Sequence, residues 1–132
     1  MKKLFLLLIS SLWLTAYAQE DDWILLPRGA LYNKNMFVSP SRTTTDPSTP
    51  NLRHSVILLN TQVDIEVAKS HFAEIVVDCT SHTYALKRSV AYQDYYGQGN
   101  ILKEEVFDTL EFKKYDEEDE TDQMILAVVC SK

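Results

Sequence analysis

The chain has 132 residues, of which 45% are hydrophobic and 24% are charged, and its formal net charge is −6. This length is typical of a single domain. The acidic balance argues against a nucleic-acid-binding protein and against a general surface for polyanions.

The first eighteen residues have the pattern of a secretory signal peptide. Two lysines precede an apolar run at 4–14, and the small residues Ala16 and Ala18 occupy the −3 and −1 positions of a cleavage site. The sequence predicts cleavage between Ala18 and Gln19. The apolar run rises only about 16 Å as a helix, which is too short to span a bilayer. Because Gln19 is not a cysteine, no lipid anchor is expected.

The mature chain is predicted to comprise residues 19–132 as one domain with no membrane span. It holds eleven basic and nineteen acidic residues, a net charge of −8. A periplasmic or secreted protein meets oxidising conditions, so the only two cysteines, Cys79 and Cys130, are expected to form a disulfide. The loop-entropy estimate of its contribution to stability is about 4 kcal/mol. Two buried free thiols are the alternative.

Two strands are predicted at the start of the mature chain. Residues 23–26 are apolar, and residues 30–38 carry apolar and aromatic side chains, although 33–35 has the composition of a turn. The next segment, 39–51, contains three prolines and no apolar periodicity. It predicts a surface loop, mobile or functional, in which proline denies regular strand hydrogen bonding.

Three longer strands follow. Residues 53–60 are apolar on both faces, which is typical of a central strand. In 72–79 every second residue is predicted to face inward, a set that comprises Ala73, Ile75, Val77 and Cys79. In 83–95 one face, with Arg88 as its exception, is predicted to hold Tyr84, Leu86, Val90 and Tyr92.

The C-terminal part predicts a turn, a strand and a helix. Gly97 and Gly99 permit the positive φ angles of a tight turn, and a further strand is predicted within 106–112. Residues 116–122 hold six carboxylates, which favour the N-terminus of a helix over 124–130. Because β-branched residues weaken a helix, a strand is the alternative there.

Four short segments occur in a characteristic order: 75–79 (IVVDC), 84–86 (YAL), 95–99 (YYGQG) and 128–130 (VVC). In this order they resemble the surface-adhesin protein E family of exported proteins from Gram-negative bacteria. The resemblance covers most of the mature chain, and its specific part is residues 72–99 together with Cys130.

The resemblance implies an antiparallel sheet, a C-terminal helix packed on it and a bridge between Cys79 and Cys130. The family's characterised adhesin is a lipoprotein that binds host extracellular-matrix and plasma proteins and dimerises through its sheet. This chain has no lipid-acceptor cysteine, and Lys69 is its only basic residue between Arg53 and Lys87. These departures argue against carrying over surface attachment or a basic contact with a host glycoprotein.

Pattern and resemblance together predict an α+β fold. The expected architecture is an antiparallel β-sheet of five or six strands, with a C-terminal α-helix packed on it and tied by the disulfide.

No catalytic, metal or cofactor site is predicted, and the chain is not expected to be an enzyme. His54, His71 and His82 lack metal-ligand spacing, and no nucleophile elbow or Gly-rich phosphate loop occurs. The candidate binding surface is the aromatic turn that comprises Tyr95, Tyr96, Gly97, Gln98 and Gly99. Support of the glycine turn is the alternative role of its two tyrosines.

Two functions stay open on these grounds. The first is a small exported binding protein of the adhesin type, with a host extracellular-matrix or plasma protein as partner and a homodimer left open. The second is a soluble periplasmic accessory or small-ligand-binding protein without adhesin activity. A concave pocket beside the sheet would favour the ligand-binding alternative.

Overall fold

The computed structural model describes residues 22–27, 34–61 and 67–131. The predicted signal peptide and its cleavage site at Ala18 and Gln19 lie outside these residues. The first part of the second predicted strand and the join at 62–66 also lie outside them.

The described residues form eight strands, one α-helix and two short 3-10 turns. The 3-10 turns are Pro40–Arg42 and Tyr95–Gly97. The strands and helix are β1 (Ile24–Leu25), β2 (Lys34–Val38), β3 (Thr44–Thr45), β4 (Leu52–Thr61), β5 (Ser70–Asp78), β6 (Thr83–Tyr92), β7 (Ile101–Val106), β8 (Lys113–Lys114) and α1 (Glu120–Val129).

The strands form one sheet in which all the described pairings are antiparallel. The main order is β1-β2-β4-β5-β6-β7, with β3 paired to β4 and β8 paired to β6. The predicted α+β class and antiparallel sheet are therefore confirmed. The predicted central strand is also confirmed, because Ile57 and Leu58 face opposite sides of β4 and are 5% and 0% exposed.

The main core lies between one face of the sheet and α1. From β5, Ile75 and Val77 belong to this core, while Ala73 and Cys79 are partly buried against it. The predicted inward face of 72–79 is therefore confirmed. The helix contributes to the same core its buried apolar side chains, Ile125, Leu126 and Val129.

A disulfide between Cys79 and Cys130 ties α1 to the sheet, as predicted. The S–S distance is 2.11 Å and the Cα atoms are 5.7 Å apart. Cys79 directly follows β5, and Cys130 caps the C-terminus of α1. The bridge therefore holds the last turn of the helix at the end of a central strand.

The helix begins earlier than the sequence predicted, inside the acidic run. Asp119 is its N-cap residue, and the carboxylate of Asp119 accepts hydrogen bonds from the backbone N–H groups of Thr121 and Asp122. Capping by Asp119 and the attraction of the acidic residues to the helix dipole favour a helix here over a strand, which was the alternative for 124–130. Within the described residues, no helix combines the length and the apolar character that a membrane crossing requires.

A bulge in β6 makes the predicted face of that strand wrong. Glu74 pairs with Arg88 whereas its neighbour Ile75 pairs with Leu86, so Lys87 is an extra residue in β6. An extra residue inverts the alternation of the side chains beyond it.

The four side chains predicted to share a face of β6 therefore divide between two faces. Tyr84 and Leu86 lie on the helix side, where both pack against the main core. Val90 and Tyr92 lie on the opposite side, because Val90 is paired with Phe72. The same bulge places Arg88 on this opposite side, which explains why a charged residue interrupted the predicted apolar face.

Arg88 lies between two acidic side chains on that opposite side. Its Nη1 is 3.3 Å from Glu74 Oε2, and its Nε donates a 2.8 Å hydrogen bond to Glu104 Oε1. The bond with Glu104 and the charge of Glu74 raise the pKa of Arg88. The three side chains link β5, β6 and β7 across the surface of the sheet.

The segment 39–51 is more regular than its composition predicted. Thr44 and Thr45 form β3 and pair with β4, so the expectation that proline keeps this segment out of the sheet is wrong for them. Ser39 and Thr43 are 0% and 1% exposed. Thr43 Oγ1 donates to the Ser39 carbonyl at 3.0 Å and lies 2.9 Å from Ser55 Oγ. These bonds anchor the segment over β4.

Two other strand boundaries were predicted wrongly. Lys34 and Asn35, which were expected in a turn, belong to β2 and pair with β4. The strand expected within 106–112 ends at Val106, and the residues from 107 to 112 adopt no strand.

Candidate functional site

The predicted aromatic turn connects β6 to β7. Its base is closed by backbone hydrogen bonds from Gln93 N to Asn100 O, at 2.9 Å, and from Asp94 N to Gln98 O, at 3.0 Å. The candidate residues at 95–99 are thus held as one continuous turn at the end of the hairpin.

Three residues of this turn have positive φ angles. Gly97 and Gly99 have φ values of 69° and 78°, as the sequence predicted, and Tyr96 has a φ of 58°. This conformation is uncommon for an aromatic residue, since its β-carbon crowds the backbone. Tyr96 therefore requires support from its surroundings.

Two buried polar side chains supply that support. Ser70 Oγ donates to the carbonyl of Asp94 at 2.6 Å and accepts from Gly97 N at 2.9 Å. Asn60 Oδ1 accepts from Tyr96 N at 3.0 Å. Ser70 and Asn60 are 0% and 5% exposed, so the turn is pinned to the ends of β4 and β5.

The pinned turn presents two tyrosines to solvent. Tyr95 and Tyr96 are 41% and 50% exposed, and the centroid of the Tyr96 ring lies 5.8 Å from that of Phe37. Phe37 is paired with Leu25, which is 57% exposed. We name Leu25, Phe37, Tyr95 and Tyr96 the aromatic patch. Lys69 Nζ lies 5.9 Å from the centroid of the Tyr95 ring.

A layer of packed rings lies behind the aromatic patch. The Phe72 ring packs near Trp23 and Tyr92, with centroid distances of 5.7 Å and 5.1 Å. The Arg42 guanidinium lies 5.2 Å from the Trp23 centroid and 5.0 Å from the Phe72 centroid. Such stacking stabilises both the rings and the cation. These packed rings support the turn, since Gly97 lies against Phe72.

A cavity of about 450 Å³ lies on the other face of the sheet, beside the start of α1. Its polar residues are Asp116, Asp119, Thr121 and Asp122. The rest of its lining consists of aliphatic and aromatic side chains, namely Met36, Ile57, Leu59, Ala73, Ile75, Tyr84, Leu86, Tyr115 and Ile125.

The three carboxylates at this cavity cap the backbone of the helix start. Asp122 Oδ2 accepts from Asp116 N at 2.9 Å, and Asp116 Oδ1 accepts from Glu118 N at 2.9 Å. Burial raises the pKa of Asp122, and the charges of Asp119 and Asp116 add to the rise. Burial also raises the pKa of Tyr115, with a smaller effect from Asp122.

The three histidines lie in separate places. His54 Nε2 is 2.8 Å from Asp46 Oδ2, and this hydrogen bond is the main cause of the lowered pKa of Asp46. His71 lies in β5, and His82 has a φ of 55° in the turn before β6. In the described ranges, no group of three His, Cys, Asp or Glu side chains is positioned to hold a metal ion.

The sequence located the exposed turn but missed the two side chains that pin it. Asn60 and Ser70 are polar residues near the ends of apolar strands, which is the one signal that could have drawn attention to them. A buried polar group requires a hydrogen-bond partner, but the sequence does not name that partner. The structure brings both of them to the turn.

Comparisons with known proteins agree on the fold. A family model described as surface-adhesin protein E matches residues 23–131. A selenomethionine form of Haemophilus influenzae protein E is similar with a TM-score of 0.58 and 14% identity, over 83% of this chain and 95% of that chain. Another structure of that protein has a TM-score of 0.55 and 14% identity, over 85% and 97% of the two chains.

A third similar structure is protein E from non-typeable Haemophilus influenzae. Its TM-score is 0.55 at 16% identity, over 83% of this chain and 85% of that chain. At such identities the likeness shows the shared fold alone. A comparison with curated protein sequences returned no match.

Proposed function

Because the chain belongs to the surface-adhesin protein E family, we propose that it is an exported adhesin-type binding protein and not an enzyme. Its aromatic patch contacts a partner protein, and the partner class is a host extracellular-matrix or plasma protein. The two exposed tyrosines of a pinned turn are the observation that carries this proposal.

The construction of the turn supports a contact role over a purely structural one. Tyr96 adopts a positive φ and remains 50% exposed, although burial of its ring would be favourable. Strained residues that are held by buried hydrogen bonds cluster at functional sites. Exposed tyrosines on a rigid support provide a large contact area with little loss of side-chain entropy on binding.

The proposal is tested with the processed protein and immobilised host matrix and plasma proteins. A double variant, Tyr95→Ala with Tyr96→Asn, removes both rings, and Asn tolerates the positive φ at that position. Loss of a central aromatic contact typically costs 2 kcal/mol or more, so affinity should fall at least about thirtyfold.

Phe112→Ala is the matched control, because Phe112 is 43% exposed and lies outside the aromatic patch. This control should retain binding. If the double variant binds as tightly as the parent protein, the patch is not the contact surface. If no member of the panel binds the parent protein, the adhesin role itself is refuted for that panel.

We also propose that two copies of the chain associate through β7. This strand ends the sheet order, and no other described strand pairs with its outer edge. All six of its residues are exposed, including Ile101 at 53% and Val106 at 61%. The strand also carries Lys103, Glu104 and Glu105, but its unpaired backbone edge is suited to pairing with a second strand.

Sedimentation over a range of concentrations tests this association. Val106→Lys places a charge on the proposed edge contact and should shift a dimer to monomer. Val67→Lys is the control, since Val67 is 83% exposed outside β7. A parent protein that is monomeric at every concentration would refute the pairing.

We further propose that export occurs through the signal peptide, with cleavage between Ala18 and Gln19, and that the protein is periplasmic or secreted. N-terminal sequencing of the exported protein should begin at Gln19. External protease on intact cells distinguishes the surface from the periplasm. A protein that is digested only after the outer membrane is permeabilised is not a surface adhesin.

A further inference from the structure

We propose that the cavity between the sheet and the start of α1 binds a small organic cation with an apolar chain. The charged group would lie among Asp116, Asp119 and Asp122, and the apolar chain would lie on the sheet. This site is distinct from the aromatic patch, which lies on the opposite face of the same sheet.

The cavity exists because the helix is shorter than the strands beneath it. A ten-residue helix extends about 15 Å, whereas the nine residues of β5 extend about 30 Å. The disulfide holds the C-terminus of α1 at the end of β5. The sheet near Met36, Leu59 and Ala73 is therefore only partly covered.

The size and lining of the cavity suit a small molecule. Its volume of about 450 Å³ falls within the range of about 300–1,000 Å³ that is usual for ligand pockets. Met36, Leu59, Ala73 and Leu86 supply an aliphatic surface. Tyr84 and Tyr115 stack with ring centroids 4.4 Å apart and supply an aromatic wall.

The three carboxylates that line the cavity favour a cationic ligand over a neutral or anionic one. In each of the three carboxylates one oxygen accepts backbone hydrogen bonds, and the other oxygen has no hydrogen-bond partner among the described residues. No ion pair of the described chain includes Asp116, Asp119 or Asp122. An ammonium or guanidinium group could bond to these oxygens directly, whereas a carboxylate ligand would be repelled.

The raised pKa of Asp122 agrees with a preference for a cationic ligand. Burial, with a smaller effect from the charges of Asp119 and Asp116, raises the pKa of Asp122 despite the hydrogen bond from Asp116 N, so its charge is only partly compensated in the unliganded protein. A bound cation would provide that compensation. The hydroxyl of Tyr115 remains neutral, because burial raises its pKa, and it therefore adds no competing charge.

Three probes of equal chain length test the site on the processed protein. Octylammonium, octanol and octanoate share an apolar chain and differ in the charge of the headgroup. Binding is followed by calorimetry and by amide chemical shifts at the cavity. Octylammonium should bind at least about tenfold more tightly than octanol and octanoate, since only its ammonium group can pair with the three carboxylates. Its affinity should fall as salt concentration rises.

Two variants with a matched control locate the binding. Asp122→Asn keeps the oxygen that accepts the Asp116 amide but removes the charge, and should weaken octylammonium about tenfold while changing octanol by less than about twofold. Glu117→Gln removes one charge from an exposed residue of the same acidic run that does not line the cavity. This control should leave the affinity unchanged.

Ala73→Leu fills the sheet side of the cavity and should weaken octylammonium and octanol together. Thermal unfolding confirms that each variant is folded before binding is compared. The proposal is overturned if the three probes bind alike or not at all in the parent protein. It is also overturned if Glu117→Gln weakens octylammonium as much as Asp122→Asn does.

Discussion

Gly97 lies directly against the ring of Phe72. A β-carbon at position 97 would lie 2.2 Å from Phe72 Cζ, and the φ of Gly97 is 69°. Both the contact and the backbone angle therefore require glycine at this position. The contact joins the exposed turn to the packed rings of Trp23, Phe72 and Tyr92.

We expect Gly97→Ala to destabilise the protein by about 2 kcal/mol or more, from the positive φ and from overpacking against the ring. The measurement is the free energy of unfolding in urea. Gly99→Ala is the matched control, because Gly99 also has a positive φ but its nearest neighbour is the carboxylate at the end of the exposed Asp94 side chain. Gly99→Ala should lower the free energy of unfolding by less than Gly97→Ala does.

A double-mutant cycle with Phe72→Leu isolates the contact. In the Phe72→Leu background the cost of Gly97→Ala should be smaller, because the ring is no longer present to be displaced. Equal costs in both backgrounds would mean that the backbone angle alone accounts for the effect.

Removal of the disulfide should loosen α1. The double variant Cys79→Ser, Cys130→Ser leaves no unpaired thiol, and we expect it to lower the free energy of unfolding by about 2–5 kcal/mol. Denaturant unfolding of both proteins, with and without reductant, measures the loss. Reductant should destabilise the parent protein and leave the variant unchanged. A denaturant midpoint that does not move in the variant would contradict the stabilising role.

Asp22 should contribute to stability in a defined pH range. Hydrogen bonds from the hydroxyls of Ser39 and Ser41 lower the pKa of Asp22 from 3.8 to about 2. Because the pKa is lower in the folded state, this contribution is present above pH 3.8 and is lost as the pH falls through about 2.

The difference in urea midpoint between the parent protein and Asp22→Asn measures this contribution. It should be clear at neutral pH and should disappear below about pH 2. Glu117→Gln removes the same charge from an exposed position and serves as the control for net charge. A difference that persists unchanged into strong acid would show that the carboxylate charge at Asp22 is not responsible.

Asp122 should have the opposite dependence. Its pKa is raised, chiefly by burial, so its ionisation opposes folding as the pH rises above about 4, the usual value for an aspartate. Asp122→Asn should therefore be modestly more stable than the parent protein at neutral pH and equal to it in acid. Thermal unfolding at several pH values tests this. Lower stability of the variant at neutral pH would mean that attraction to the helix dipole dominates.

Much of the fold followed from local pattern. The alternation within 72–79 correctly placed Ile75 and Val77 in the core, since a strand that pairs one residue to one residue keeps its side chains on fixed faces. The same logic failed in β6. Lys87 has no partner in the one-to-one register, and a bulge depends on the neighbouring strand, which a local pattern does not contain.

The aromatic turn at 95–99 was likewise predictable only in part from the sequence. The positive φ angles of Gly97 and Gly99 were predictable, because glycine is the residue that adopts them most readily. The roles of Asn60 and Ser70 were not, since they lie 36 and 27 residues before the amides of Tyr96 and Gly97 that they bind.

The sequence by itself determined that acidic residues precede and cap the C-terminal helix, that residues 72–79 alternate between two faces, and that two cysteines are available for a bridge, because each depends on residue type and near neighbours. Only the tertiary structure decided which sheet face each half of β6 occupies and which polar groups hold Tyr96. It also decided that α1 covers only part of the sheet and leaves a cavity. These features arise from the register between strands and from the fixed position of the helix. Both are set by contacts between residues that are distant in the chain.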